Sequence, residues 1–336
     1  MRLISLCSVA LLVLASASFG VGGCDDSTSD DEAALPGVGP IGAGGAPDLG
    51  GPGGAGAGGS AAGAGQAGMS GSSGQGGAGA CATGGGDGKV RLAAMRARAG
   101  KVDVCAASTS PGAGAADWAT ATRLVRALGD AAHDGLAFAE VASPSTLAAG
   151  PVTFRVIDAA AADCTGEPLA ERDVCLAAGD DLTLVLLADS LAPFVNAPAT
   201  DGNRLRFIHA YAGGPGLDVG LADPDSGVMI PPPIFTNITY GTTAPASATS
   251  TLGPPVLASG YLDLPASDQT AAAPVGAAPT GQTASLLKTV VDLSPPKGRV
   301  LTAYAVGASG DASWALAGRL CDETKTQGAL TTCLAF

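Results

Sequence analysis

The chain is expected to be all-β, with two tandem Ig-like β-sandwich domains after a signal peptide and a disordered Gly-rich tether. Three observations predict this. A pair of landmarks recurs along the chain, short Val/Leu/Thr-rich runs alternate with Gly/Pro turn signals, and a Gly/Ala/Ser tract separates all of that from an apolar N-terminus.

The N-terminus comes first in the chain. Arg2 supplies a positive charge, and an uncharged apolar run extends over residues 3–19. About 20 apolar residues could cross a bilayer, but the terminal position and the small residues that end the run read as a cleaved export signal. Val21-Gly22-Gly23-Cys24 looks like a lipobox, with cleavage before Cys24 and lipidation of its thiol. Residues 1–23 are therefore expected to be a lipoprotein signal peptide. Two or more acyl chains (palmitate among them) would anchor the rest stably. Asp25 after that cysteine resembles the inner-membrane retention signal of enteric bacteria, a rule that does not transfer between bacterial groups. The expected location is the cell envelope, at the outer membrane or cell surface, with the inner membrane left open.

Residues 24–88 carry no hydrophobic periodicity. An acidic run (Asp25, Asp26, Asp30, Asp31, Glu32) precedes dense Gly, Ala and Ser. Such a stretch cannot bury enough apolar surface to offset its chain entropy. About 60 Gly-rich residues would span roughly 40 Å r.m.s.. The G-x-G-x-x-G matches here lack the strand and helix that a phosphate loop needs.

The remainder compares well with itself. Val90-Arg91-Leu92 and Val102-Asp103-Val104 recur as Leu205-Arg206-Phe207 and Leu217-Asp218-Val219, at an offset of about 115 residues. Further on, Leu136-Ala137-Phe138 matches Ile238-Thr239-Tyr240, and Leu182-Thr183-Leu184 matches Leu301-Thr302-Ala303. A duplicated module over residues 89–197 and 198–336 follows. Strands are expected at 89–95, 151–157 and 181–188 in the first copy, and at 204–209, 259–264, 285–293 and 299–306 in the second. The unbroken apolar run at 182–188 suits a strand buried on both faces or in a sandwich core. Residues 117–132 place Trp118, Leu124, Val125 and Leu128 at near-helical spacing, which predicts a short helix between strands.

The openings "VRLAAMRARAGKVDVC" and "LRFIHAYAGGPGLDVG" resemble the start of domain of unknown function 4397 (DUF4397), whose repeats begin near V-R-F-x-H-A-S-P-x-x-x-x-V-D-V. The second copy keeps Arg206, Phe207, His209, Ala210 and Asp218, with Tyr211-Ala212 in place of Ser-Pro. The first has Ala94 where the histidine would be. The resemblance implies an envelope β-sandwich and brings no activity with it.

Cys7 leaves with the signal, so Cys81, Cys105, Cys164, Cys175, Cys321 and Cys333 remain as disulfide candidates in an oxidising compartment. Short separations favour Cys164–Cys175 and Cys321–Cys333, leaving Cys81–Cys105. No paired C-x-x-C supports zinc, so neither metal nor cofactor is expected.

Signs of catalysis are sparse. The two histidines are His133, in a polar stretch, and His209, on a strand, where ring-to-backbone bonding is the ordinary role. No G-x-S-x-G elbow is present. Aromatics at 4% are too few for a sugar cleft flanked by paired carboxylates. Asp223-Pro224-Asp225-Ser226-Gly227 lacks the remaining ligands of a calcium loop and reads as a turn. Asp103 and Asp218 are equivalent and are expected to face outward or accept backbone N–H bonds, a ligand role being the alternative. Arg91 and Arg206 are equivalent too, each placed to pair across adjacent strands with its Asp. A net charge of −13 disfavours nucleic acid.

The expectation is a membrane-anchored, non-catalytic module that binds or displays at the envelope, meeting an envelope or extracellular partner through loops such as 106–117 and 221–240. The alternatives are a carboxylate-based hydrolase of envelope polymers and a purely structural spacer.

Overall fold

A computed structural model describes Cys81 and residues 85–109, 116–127, 134–247, 250, 252–264, 272–292 and 297–336. The expected export signal, Cys24, the expected tether up to residue 80, His133 and the tip of the 106–117 loop lie outside the described residues.

Among the described residues four sheets account for the fold. β1 (Asp87–Ala94), β4 (Ser145–Ala148), β7 (Asp181–Leu186) and β8 (Leu191–Val195) form one, in the order β4-β1-β7-β8. β2 (Val102–Ser108), β3 (Thr122–Arg123), β5 (Gly150–Asp158) and β6 (Ala170–Leu176) form its partner, β3-β2-β5-β6. The second half repeats the plan. β9 (Asn203–Ala212), β12 (Tyr261–Leu264), β15 (Val300–Ala308), β16 (Ala317–Gln327) and β17 (Leu330–Ala335) are ordered β12-β9-β15-β16-β17. β10 (Leu217–Leu221), β11 (Phe235–Ile238), β13 (Ala272–Pro279) and β14 (Leu287–Asp292) are ordered β11-β10-β13-β14. In each half the first strand runs parallel to the seventh, placing Arg91 opposite Thr183 and Arg206 opposite Thr302. The duplication read from tripeptides is thus also a duplication of strand order, with β17 an addition to the second half.

Period-two alternation explains the layering. In the first half Val90, Leu92, Leu182 and Leu184 meet Val102, Val104, Phe154 and Val156 inside one sandwich. In the second, Leu205, Phe207 and Leu301 meet Leu217, Val219 and Val275. The opposite faces of the two first-named sheets then pack on each other. Ala93, Met95 and Val185 lie against Ile208, Tyr304 and Val306. These central strands are buried on both sides, which is why β7 and β15 read as largely apolar runs. The result is two all-β sandwiches joined back to back.

Of the helix expected over 117–132, the described residues show α1 (Leu124–Ala127), preceded by β3. β3 pairs with β2, and Trp118 and Ala121 pack with Cys105, Ile157 and Cys164 on the outer face of that sheet. Sheet pairing and this small cluster override the helical spacing; residues 128–133 lie outside the described residues.

Cys321–Cys333 bridges directly opposed positions of β16 and β17. The other two pairs differ from expectation: they are Cys81–Cys175 and Cys105–Cys164. Cys164 is buried under the sheet beside Cys105, whereas Cys175 sits exposed on the edge strand β6. Nearness in sequence is therefore not nearness in space.

Candidate functional site

The duplicated arginines meet at the seam between the sandwiches. Arg206 is fully buried. It donates to Asn196 Oδ1 (2.8 Å) and to the Val195 carbonyl (2.9 Å) of the first half. Within its own half it reaches Glu323 Oε1 (3.3 Å) and lies 4.3 Å from the centre of the Tyr261 ring. Glu323 also accepts from Thr302 Oγ1 (2.6 Å) and the Tyr261 hydroxyl (3.0 Å). Arg91 reciprocates, donating to the Glu323 carbonyl (3.2 Å) across the seam and to both oxygens of Asp181 (3.1 Å each). Asn196 closes the network, accepting from Thr183 Oγ1 and donating to Asp181 Oδ1 (2.7 Å).

Burial would lower the Arg206 pKa, but the nearby Tyr261 and Glu323 outweigh it and hold the guanidinium above its ordinary value. Burial raises the Tyr261 and Tyr304 hydroxyls, and among the described residues the Tyr304 hydroxyl has no hydrogen-bond partner. In each half the arginine sits on its own sandwich's first strand, on the face turned to the other half. The anticipated Arg91–Asp103 and Arg206–Asp218 pairs do not form, because β1 and β2, like β9 and β10, belong to different sheets.

A cleft of about 520 Å³ opens at one end of this seam. Lys89 and Asp87 stand exposed at its rim, with Asp181, Asn196, Glu323 and Ala199 also lining it. The volume is that of a small-molecule site (roughly 300–1,000 Å³). Of its acids, Glu323 is buried and accepts from Arg206, Thr302 and Tyr261, while the half-exposed Asp181 accepts from Arg91 and Asn196. A general acid or base needs a free lone pair or a transferable proton aimed at the ligand, and the buried, triply bonded Glu323 carboxylate is poorly placed to supply one.

The residues singled out from sequence lie elsewhere. Asp103 is buried and accepts from the Val104 and Val125 N–H groups and from Arg123 Nε (3.0 Å). Asp218 accepts from the Asn237 and Gly281 N–H groups (2.7 and 2.9 Å). Both therefore tie the third strand of their outer sheet, or its continuation, to the second. His209 is buried; its Nδ1 accepts from Tyr211 N–H and its Nε2 lies 2.7 Å from the Pro215 carbonyl. With Nδ1 accepting, Nε2 carries the proton. Asp223 folds its turn by accepting from the Asp225 and Ser226 N–H groups and from Ser226 Oγ, and these bonds, those from Ser226 foremost, hold its pKa below the usual carboxylate value. Among the described residues no group of three or more His, Cys, Asp or Glu side chains could hold a metal. The 221–240 stretch is not a free loop: it contains β11, and Met229 packs over Gly220 on the outer sheet.

Glu323, Asn196, Tyr261 and Asp181 were not picked out from sequence. The available signal was that Arg91 with Thr183 and Arg206 with Thr302 recur together, both at landmark positions.

No protein family's sequence profile matches the chain, and no curated protein matches it. Among solved structures, it is similar to a family 26 carbohydrate-binding module of Amy13K from Eubacterium rectale, in complex with maltoheptaose. The identity is 12%, over 68% of this chain and 99% of that one, with a TM-score of 0.20. A fimbrial assembly protein from Parabacteroides distasonis shows 10% identity over 73% and 98%, with a TM-score of 0.19. Similarity at this level bears on neither fold nor function.

Proposed function

We propose that the chain is an exported bacterial lipoprotein, held in the cell envelope by acyl chains on Cys24, whose paired sandwiches act as a non-catalytic binding module of the DUF4397 kind. The observation that carries the non-catalytic reading is that Glu323, the buried carboxylate of the inter-sandwich cleft, is spent on internal partners. What the cleft offers a ligand is a fixed polar wall and an open, charged rim at Asp87 and Lys89. The lipobox-like Val21-Gly22-Gly23-Cys24 supports the anchor, and the recurring Arg and Asp landmarks support the family.

Two measurements test this. Metabolic labelling with a palmitate analogue is expected to mark the wild-type chain in the membrane fraction. Cys24→Ser should abolish the label and release the chain; a Cys24→Ser chain that stays with the membrane contradicts the anchor. For the binding role, immobilised full-length chain is exposed to peptidoglycan fragments and surface polysaccharide. Retention should fall on Lys89→Ala and on filling the cleft with Ala199→Trp. Turnover of a retained polymer would contradict the non-catalytic reading.

A further inference from the structure

The long edge strands of the sheets mostly carry a device against pairing with other chains. β6 presents Glu171, Arg172 and Asp173, β8 contains Pro193, and β14 contains Lys288, while β3, β4, β11 and β12 are four residues or fewer. Charge, proline and shortness are the usual ways of blunting an edge. β17 has none of them. It is six residues long, Leu-Thr-Thr-Cys-Leu-Ala, with Leu334 67% exposed.

The register shows which of its backbone groups are open. Phe336 and Gly318 exchange both N–H···O bonds, so in the unbroken β17 the even-numbered residues face β16 and the odd-numbered ones face away. The first of these outward residues is already paired. Thr331 N–H donates to the Val141 carbonyl (2.8 Å), Thr331 Oγ1 to the Ala142 carbonyl, and Ser143 N–H to the Ala329 carbonyl (2.7 Å). The first half thus lays a short extended segment along the start of the edge. Further on the two walls part. Cys333 and Ala335 aim their N–H and C=O groups toward a cleft of about 620 Å³ whose far wall is Phe138 and Val141. Among the described residues neither group has a backbone partner on that side. Arg319 also lines the cleft, and among the described residues its guanidinium donates only to its own neighbour's carbonyl, Gly318, at 3.4 Å.

We propose that this cleft takes an extended peptide segment of a partner protein, added as a strand to β17 beyond Thr331, with a carboxylate of that segment facing Arg319. Alternating donors and acceptors at strand spacing are complemented by another extended backbone. The open edge beyond Thr331 offers pairing to a strand of about four residues, roughly 13 Å long. The site lies apart from the polar cleft of the proposed function and stands or falls independently of it.

The test uses full-length chain in detergent and a fluorescein-labelled peptide, (Thr-Val)₃-Glu, followed by anisotropy. Saturable binding is expected. N-methylating alternate peptide amides on the pairing side should weaken it by about tenfold or more, as loss of a hydrogen bond or two does. Ala335→Pro removes one outward donor, and Leu334→Lys charges the edge without touching the core; either should weaken binding while the melting temperature holds. No binding at millimolar peptide, or binding indifferent to N-methylation and to both variants, overturns the proposal. Self-association of the chain that Leu334→Lys abolishes would assign the edge to a second copy, which overturns it as well.

Discussion

Arg91 and Arg206 occupy the same register position of the same strand in two copies of one fold, yet their surroundings differ. Arg206 is enclosed, stacked on Tyr261, and neutralised by a Glu323 whose side chain is 3% exposed. Arg91 is nearly as buried, but its acid, Asp181, is 31% exposed and sits at the mouth of the polar cleft. Duplication placed two guanidiniums in one seam, and each copy met the charge differently. One built an internal counter-charge of high stakes, the other used a carboxylate that water still reaches. The difference teaches that a buried arginine's worth depends on whether its partner can be lost without leaving a naked charge.

Breaking the enclosed side should have the largest effect. Glu323→Gln leaves Arg206 without its counter-charge, and removing one partner of a buried pair costs about 3–5 kcal/mol. Urea denaturation should show the midpoint falling with an unchanged slope. The disulfides give the next contrast. In the entropic account, closing the 59-residue separation of Cys105–Cys164 is worth about 4 kcal/mol, and the 12-residue separation of Cys321–Cys333 about 3 kcal/mol. Paired Cys→Ser variants should rank in that order by denaturation.

The open side should matter least among the charges. Asp181→Asn keeps a hydrogen-bonding group beside Arg91 and is expected to cost about 1 kcal/mol or less, with a dependence on salt that Glu323→Gln lacks.

The smallest contrast is one of pH. Burial, only partly opposed by the Pro215 carbonyl, puts the His209 pKa below 6.5, while the unfolded chain titrates near 6.5. The unfolded chain then binds the proton more readily. Stability is full above about pH 6.5 and is lost as pH falls from there toward the folded pKa, by at most about 1.4 kcal/mol per pH unit. The first half has Ala94 at that position and gives no such slope. His209→Gln should flatten this part of the stability–pH curve; an unaltered slope would put the titration elsewhere.

Much of this architecture was legible in the sequence. The repeated tripeptides marked β1, β2, β7 and their equivalents, and apolar runs such as Leu184-Val185-Leu186 announced strands covered on both faces. The seam's acid was not legible, because Glu323 sits in Cys-Asp-Glu-Thr-Lys-Thr, which reads as a solvated charged stretch. Only its register beside β15 turns it inward. Arg91 and Arg206 were visible as a repeat, but their partners depend on which strands share a sheet, and tripeptides do not carry that. The same ignorance of sheet membership misdirected two of the three disulfides and the Arg91–Asp103 pairing. The helical spacing at 117–132 was a real pattern, overridden where Arg123 is held by Asp103 and β3 pairs with β2.

The central claim is that the seam makes the two sandwiches one cooperative body. The protein's two tryptophans report on it, since Trp118 lies on the first sandwich and Trp314 in the second, edge-on to Phe138 at 4.9 Å. Trp314→Phe and Trp118→Phe chains, each with one reporter left, would be unfolded in urea with and without Glu323→Gln. Coincident transitions, both shifted by Glu323→Gln to the same lower midpoint, are the predicted result. Separate midpoints, with Glu323→Gln moving only the Trp314 signal, would show two independent sandwiches and contradict the account.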